Sequence, residues 1–255
     1  MFSGSSRYFV FRKRLCIETP VFFLLILFLC SIPATAADYN IVTADLPPWS
    51  TKGTAGIILD IVKEIEKRLG TSNIPHELPW MRAQKNTLEN DNYLIFPLTR
   101  ISSREENFTW IVDVMPFETV FVTVGSNSVD LETARGLKTI LVYQNHPAYH
   151  FLVEKGFKNI RVYPYGVTAL LKMLANGRAD AWFVERSFAR NFVIGTPHEG
   201  SLVFGPPAVT SRIYIAGSKR ISPKIVSAYR GIFDELKKEG FVDKIMIKYL
   251  GKEQL

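Results

Sequence analysis

Cysteine is nearly absent from the sequence. The chain has 255 residues, and its two cysteines, Cys16 and Cys30, both lie within the first 36 positions. If that segment is removed, no thiol is left for a disulfide scaffold, a zinc–thiolate site, an iron–sulfur cluster or a cysteine nucleophile. The sequence therefore excludes all of these classes for the processed chain.

Motifs of catalysis and metal binding are also missing. The sequence has no H-E-x-x-H, G-x-S-x-G, G-x-G-x-x-G or P-loop pattern. His146 and His150 are four positions apart, which could place them on one helical face for a metal. Because Pro147 lies between them and no carboxylate is near, a surface or helix-cap role is favoured. We predict no catalytic residue, no metal site and no cofactor.

The charge balance gives little reason to expect a nucleic-acid partner. The formal net charge is +7, but the first 36 residues hold four basic residues against one acid. The remaining excess is small and scattered, which is not the pattern of a nucleic-acid-binding surface. With 47% hydrophobic and 22% charged residues, the composition is that of a globular protein, so disorder, collagen and coiled coil are excluded.

The first 36 residues have the pattern of a secretory signal peptide. A cationic stretch at 7–14 precedes an apolar run at 21–32, and Ala34-Thr35-Ala36 forms a small-x-small cleavage site. The apolar run is too short to span a bilayer, which takes about 20 residues. An uncleaved membrane anchor is the alternative, and a lipid anchor at Cys30 is disfavoured by the bulky Leu29 before it. We predict cleavage after Ala36 and export to the periplasm.

Hydrophobic periodicity beyond residue 36 predicts short strands that alternate with helices. The predicted helices are 57–69, 81–89, 149–155, 167–175, 186–193, 223–238 and one that starts at 241. The predicted strands are 40–43, 74–78, 93–96, 139–142, 159–163, 181–184 and 209–216. Such alternation is typical of parallel sheets covered by helices on both faces.

Extended segments interrupt this alternation at 110–114 and 119–124, and another lies near 205–215. The interruption at 110–124 and the one near 205–215 fit two lobes that are joined by two chain crossings. The predicted division is a signal peptide at 1–36, lobe 1 at 37–120 and 209–255, and lobe 2 at 121–208.

Six sequence blocks carry a family resemblance. They are PPW at 47–49, GIILDI to RLG at 56–70, PWMRA at 79–83, RISSREENFTW at 100–110, GRADAW at 177–182 and DELKKEGFVDKIMIKYLG at 234–251. In this order they resemble the bacterial family 3 periplasmic solute-binding proteins, the amino-acid receptors of ABC importers. The resemblance implies an α/β, two-lobed type II periplasmic-binding-protein fold, each lobe a mostly parallel sheet flanked by helices. It also implies a monomer, an inner-membrane permease as partner, and a small-molecule ligand in the cleft at the carboxyl ends of the strands.

The resemblance assigns a carboxylate site to the first lobe. Arg104 matches the family arginine that grips the ligand's α-carboxylate, and its planar fork suits bidentate binding. Thr99 matches a position that lends a hydroxyl to the same group. Arg100 is a competing cation for this role, and a solvated arginine in a polar loop is the structural alternative for Arg104.

The ammonium site and one cleft wall follow from the same resemblance. Glu185 stands where the family usually has an aspartate facing the α-amino group, and its alternative is a carboxylate at a helix N-terminus, stabilised by the dipole. Trp80 stands where an aromatic side chain usually forms a wall, and core packing is its alternative. For Trp49, a core position is favoured over a wall.

The sequence also departs from the family. Leu46 replaces the aromatic side chain that often covers the ligand. Gln144 and Asn145 replace the usual Gly-Ser/Thr pair in the second lobe, although either amide could still donate a hydrogen bond.

Three functions remain open. The first is a receptor for an amino acid or a related amine or carboxylate. The second is an enzyme on the same scaffold that resembles cyclohexadienyl dehydratase, with Glu185 as general acid, and the third is a sensory or partner-presenting module.

Overall fold

A computed structural model describes Met1 and residues 39–251, with gaps at 72, 126, 144–145 and 164–166. The chain divides into two units, 1–36 and 37–255, and every described residue except Met1 belongs to the second. The predicted signal peptide and both cysteines therefore lie outside the described residues. Among the helices that are described, none has both the length and the hydrophobicity needed to cross a membrane.

The described residues form nine strands and eight α-helices. The strands are β1 (Asn40–Thr43), β2 (His76–Glu77), β3 (Tyr93–Arg100), β4 (Thr109–Val124), β5 (Ile140–Tyr143), β6 (Ile160–Tyr163), β7 (Ala181–Glu185), β8 (Leu202–Phe204) and β9 (Val209–Gly217). The helices are α1 (Ile57–Leu69), α2 (Trp80–Glu89), α3 (Leu131–Ala134), α4 (Pro147–Glu154), α5 (Val167–Ala175), α6 (Arg186–Val193), α7 (Pro223–Lys238) and α8 (Phe241–Leu250). A 3₁₀ turn at Ser102–Arg104 follows β3.

All nine strands join one sheet, in the order β2-β1-β3-β9-β4-β7-β5-β6, with β8 beside β4. The outer pairs are parallel, whereas β9 and β4 run antiparallel to their neighbours. We call β2, β1, β3, β9 and the start of β4 the first half of the sheet. The remainder of β4 with β7, β5, β6 and β8 is the second half.

Strand β4 joins the two halves. It pairs with β9 from Thr109 to Thr119 and with β7 from Thr119 to Val122, so one strand serves both halves. The sequence predicted two extended segments here, and both are extended in the structure. The predicted break between them is wrong, because the chain stays extended through Pro116. The β4–β9 ladder shifts its register twice before this proline, between Trp110 and Val112 and between Asp113 and Met115.

Each half has a hydrophobic core on both faces, because adjacent strand residues point to opposite sides. In the first half, Ile41 packs under α1, α7 and α8, whereas Val42 packs under α2. In the second half, Trp182 faces α5 and α6, whereas Phe183 faces α3 and α4. The continuous apolar runs of β1, β3 and β7 are explained by this burial on two sides.

Two segments that are distant in sequence from α1 are fixed to it by hydrogen bonds to one buried carboxyl group. Glu66 accepts from the hydroxyls of Tyr39, Tyr229 and Thr71, with a Tyr39 Oη to Glu66 Oε1 distance of 2.6 Å. Glu66 lies in α1, Tyr39 precedes β1 and Tyr229 lies in α7. Three distant segments of the chain therefore meet at one carboxyl group.

Candidate functional site

A cavity of about 650 Å³ lies between the two halves of the sheet. Its lining comes largely from the carboxyl ends of parallel strands and the segments that follow them, where open α/β sheets generally bind ligands. The lining residues are Asp45, Leu46, Pro47, Trp49, Thr51, Lys52, Trp80, Pro97, Thr99, Arg104, Phe117, Tyr143, His146, Pro147, Val184, Glu185, Phe188, Phe192 and Ile213. Five of the six predicted ligand-binding residues are in this set, and the sixth, Asn145, lies outside the described residues.

Arg104 is the half-buried cation of the cavity. The 3₁₀ turn after β3 carries it back toward the strand, where its Nη1 donates to the carbonyl oxygen of Thr99 at 3.1 Å. Its Nη2 donates to the side-chain oxygen of Gln84 at 3.1 Å. Both acceptors are neutral, and Arg104 forms no ion pair with any described carboxylate. Burial without a compensating anion lowers the pKa of Arg104 to about 10, so the side chain is still cationic at neutral pH.

Arg100, the competing cation, lies elsewhere. It is exposed at the end of β3, forms an ion pair with Glu105, and sits over the rings of Trp110 and Tyr214 at 5.3 and 5.4 Å. Its charge is already matched by a neighbouring carboxylate, and it does not line the cavity. It borders instead a second groove of about 800 Å³, which also contains Glu154 and shares Thr99, Phe117 and Pro147 with the cavity.

Glu185 caps the helix that begins at the end of β7. Its Oε1 accepts from the backbone N–H of Ser187 at 2.9 Å, and its Oε2 accepts from that of Phe188 at 2.5 Å. The residue is only 3% exposed. Burial raises the pKa of Glu185 to about 7, against the lowering effect of the two backbone hydrogen bonds and of Arg186. The helix N-terminal carboxylate, an alternative left open by the sequence, is what the structure contains, and the same residue also faces the cavity.

Two polar residues of the second half were not predicted as part of the site. His146 caps α4 by accepting from Ala148 N at 3.2 Å, and its pKa is lowered to about 4 by burial, by Arg104 and by His150. Tyr143, at the end of β5, has a buried hydroxyl with no hydrogen-bond partner among the described residues. Burial raises the pKa of Tyr143, so this hydroxyl is a donor at neutral pH. Both positions follow a predicted strand, which is the signal that could have identified them.

Aromatic side chains from both halves form the walls. Trp80 is half-buried at the start of α2 and contacts the core beneath that helix as well as the cavity. Trp49 is a core residue, 3% exposed, whose ring lies 6.1 Å from that of Phe117. From the second half, Phe188 and Phe192 contribute rings 4.7 Å apart on α6. The sequence did not identify these two phenylalanines, because a helical i, i+4 aromatic pair has the same spacing in a core.

No group of three or more histidine, cysteine or carboxylate side chains is placed to hold a metal in the described part of the chain. His146 and His150 therefore have no acidic third partner in the described region. Because His146 uses Nδ1 as a helix cap, its cap role is the one seen in the structure.

The chain resembles solved structures in fold, although no protein-family model and no curated protein matches it. A histidine kinase sensor domain, described as similar to periplasmic binding proteins, superimposes with a TM-score of 0.73 at 17% identity, covering 85% of this chain and 97% of that one. A variant of ArgBP from T. maritima gives 0.70 at 21% identity, with 84% and 96% covered. This chain has the type II periplasmic-binding-protein fold. The GluR0 ligand-binding core from Nostoc punctiforme, in complex with L-glutamate, gives 0.72 at 15% identity, with 84% and 99% covered. The sequence-based prediction of an α/β type II periplasmic-binding-protein fold is thereby confirmed.

Proposed function

We propose that the chain is a periplasmic solute-binding protein that captures a small polar solute, an amino acid or a related amine or carboxylate, and delivers it to an ABC importer. The observation that carries this proposal is Arg104, a half-buried cation without a described carboxylate partner, on the wall of a large cavity. A charge removed from water without a counter-ion is unfavourable, and a bound anion relieves that cost.

The geometry of Arg104 supports a carboxylate as that anion. A guanidinium has five N–H donors, and here two hydrogen bonds to acceptors among the described residues are made. The remaining donors can meet both oxygens of one carboxylate, which is the arrangement that arginine forms better than lysine. Thr99 lies beside Arg104 on the same wall and offers a hydroxyl.

The structural neighbours support the same class of ligand. Two of these neighbours have amino acids bound: L-glutamate in the Nostoc core, and histidine in an ABC substrate-binding protein from Streptococcus pneumoniae. Proteins of this fold are also found outside transport, as the histidine kinase sensor domain illustrates. The transport role rests on the family resemblance of the six sequence blocks.

We also propose that the two halves of the sheet correspond to the two lobes, with lobe 1 at 37–120 and 209–255 and lobe 2 at 121–208. The exchange of partners along β4 at Thr119, opposite Val209 at the start of β9, supports a hinge between them. Such a hinge would let the lobes close on a ligand.

Substitution of Arg104, which we call the clamp of the ligand carboxylate, tests the proposed site. In a thermal-shift screen of amino acids, amines and organic acids, we expect at least one solute to stabilise the protein. For that solute, Arg104→Ala should lower the affinity measured by calorimetry at least tenfold, because hydrogen bonds to charged groups contribute roughly 1.5–3 kcal/mol. Arg104→Lys should lose much of it as well, since an ammonium lacks the fork.

Arg100→Ala is the matched control, because Arg100 is also a cation on the same segment but lies outside the cavity. Normal binding in Arg104→Ala, or its loss only in Arg100→Ala, would refute the assignment of the clamp. A screen in which no solute binds would refute the solute-binding function.

An enzyme on the same scaffold is the second candidate, and Glu185 favours it. A carboxyl group with a pKa near 7 on the wall of a cavity has the proton affinity of a general acid. The two functions differ in what happens to the ligand. Mass analysis after prolonged incubation should recover an unchanged solute from a receptor, whereas a dehydratase would release a product lighter by one water.

A further inference from the structure

We propose that the preferred ligand is an aromatic carboxylate without an ammonium group. This inference rests on the proposed solute-binding function and specifies the chemistry of the solute at the same cavity. Three features of the cavity lead to it: an aromatic wall, a half-buried cation with donors that the described residues leave unused, and a buried carboxyl group whose oxygens each accept a backbone N–H.

The aromatic wall favours a ring as the body of the ligand. Trp80 and Phe117 come from the first half of the sheet, and Tyr143, Phe188 and Phe192 come from the second. Within the second group, the rings of Tyr143 and Phe188 meet edge-on at 6.3 Å, and those of Phe188 and Phe192 lie 4.7 Å apart. Aromatic rings add favourable pair contacts to the burial of apolar area, so a further ring bound here gains both.

The cation accounts for the carboxylate. Arg104 donates one hydrogen bond to the carbonyl oxygen of Thr99 and one to the side-chain oxygen of Gln84, and both acceptors are neutral. Its positive charge is therefore not balanced within the described residues. His146 adds no charge here, because its pKa of about 4 leaves the imidazole neutral at pH 7.

The acids that line the cavity are poorly placed to receive an ammonium group. They are Glu185 and Asp45 among the described residues. Each oxygen of Glu185 already accepts a backbone N–H at the start of α6, and burial holds its pKa at about 7, so the carboxyl group is about half neutral at that pH. Asp45 is exposed and accepts from the backbone N–H of Lys52 at 3.1 Å.

A backbone acceptor near the clamp is occupied as well. The carbonyl oxygen of Thr99 receives the guanidinium of Arg104, so it already has a charged donor. An α-ammonium group next to the carboxylate would thus lie near a second cation, and the lining acids offer it a capped, half-neutral carboxyl group and a carboxylate screened by solvent. Its desolvation would be poorly compensated, and this cost is absent for a ligand that lacks the amine.

Three ligands that share one phenylethyl body test the inference. They are 3-phenylpropanoate, L-phenylalanine and 2-phenylethylamine, which carry a carboxylate, both groups and an amine, respectively. We expect calorimetry on the exported chain at pH 7 to give an affinity for 3-phenylpropanoate at least tenfold above that for L-phenylalanine, with no binding of the amine. Propanoate should bind at least tenfold more weakly than 3-phenylpropanoate, because it leaves the aromatic wall uncovered.

Two variants and one control connect the result to the cavity. Arg104→Gln should lower the affinity for 3-phenylpropanoate at least tenfold, and Arg100→Gln, which changes a cation paired with Glu105 outside the cavity, should leave it unchanged. Trp80→Leu should reduce the preference for 3-phenylpropanoate over propanoate, since it removes a ring from the wall.

Equal or tighter binding of L-phenylalanine would overturn the inference and leave the solute-binding function intact. So would binding of propanoate as tight as that of 3-phenylpropanoate, or preference for the amine. If none of the phenyl ligands bound while the broader screen found another solute, the inference would again be wrong and the proposed function would stand. If the broader screen also found no solute, both would be refuted.

Discussion

The ionisation of Glu185 gives the sharpest prediction for the stability of this protein. The carboxyl group is 3% exposed, and its burial raises its pKa from the ordinary 4.5 to about 7. Between these two pH values the native state holds a proton that the unfolded state has lost. Stability from this group is therefore fully present below about pH 4.5 and falls as the pH rises to about 7. At about 1.4 kcal/mol per pKa unit, the loss is about 3 kcal/mol by pH 8.

His146 acts in the opposite direction. Its pKa is lowered from 6.5 to about 4, first by burial and then by the charges of Arg104 and His150. Between these values the unfolded state binds more protons, so this group makes stability rise with pH. Since the two effects overlap between about pH 4.5 and 6.5, the wild-type profile alone does not show either one. A comparison with single variants is needed to separate them.

We therefore expect Glu185→Gln to be more stable than the wild type by about 1 kcal/mol at pH 5 and by about 3 kcal/mol at pH 8, because the amide does not titrate. The amide and the protonated carboxyl group each accept only one of the two capping hydrogen bonds, so the change in this difference with pH comes from ionisation alone. Urea denaturation at pH 5, 6.5 and 8 measures the free energy of unfolding of both proteins.

His146→Asn is the control, because asparagine is also a good helix N-cap but does not titrate. Its stability relative to the wild type should change with pH in the opposite sense. A difference between Glu185→Gln and wild type that stays constant from pH 5 to 8 would refute the reasoning. It would mean that the buried carboxyl group titrates alike in the native and unfolded states.

Three further predictions concern other parts of the chain. Mass analysis of exported protein should show cleavage after Ala36, and a chain that still carried residues 1–30 would contradict the signal-peptide prediction. Small-angle scattering should show a smaller radius of gyration with saturating ligand, and an unchanged profile despite binding would argue against lobe closure. Tyr229→Phe removes a hydroxyl donor from the buried Glu66 and should lower the free energy of unfolding by about 1–2 kcal/mol in urea, whereas unchanged stability would show that the Tyr39 and Thr71 hydroxyls suffice.

The sequence predicted helices best where hydrophobic periodicity was strong. The bounds of α5, α6 and α7 agree with the prediction at both ends. The strand predicted at 74–78 shortens to His76–Glu77, and Ile74 is 75% exposed, because an apolar residue at the sheet edge is not always covered. Helix α3 has four residues and strand β8 has three, so neither is long enough to show a period. Strand β4 was predicted as two segments, whereas in the structure it continues through Pro116, a residue that has no backbone N–H to donate to the ladder.

The sequence predicted one part of the cavity lining and missed another. Arg104, Thr99, Trp80, Leu46 and Glu185 were all placed in the site by the family resemblance, and all line the cavity. The wall formed by α6 was not predicted, because the sequence does not show whether an apolar helix face meets a core or a cavity. That depends on the position of the opposite half of the sheet, which is a long-range property of the fold.

The two arginines that compete for the clamp show why local sequence did not decide the site. Arg100 and Arg104 are four positions apart and lie in the same segment. Glu105 matches the charge of Arg100 at an exposed position, so a ligand anion would have to compete with it. The backbone turn at Ser102–Arg104 instead brings Arg104 to neutral acceptors at a half-buried position. A ligand carboxylate therefore gains most at Arg104, because there it supplies the counter-charge that the described protein groups do not.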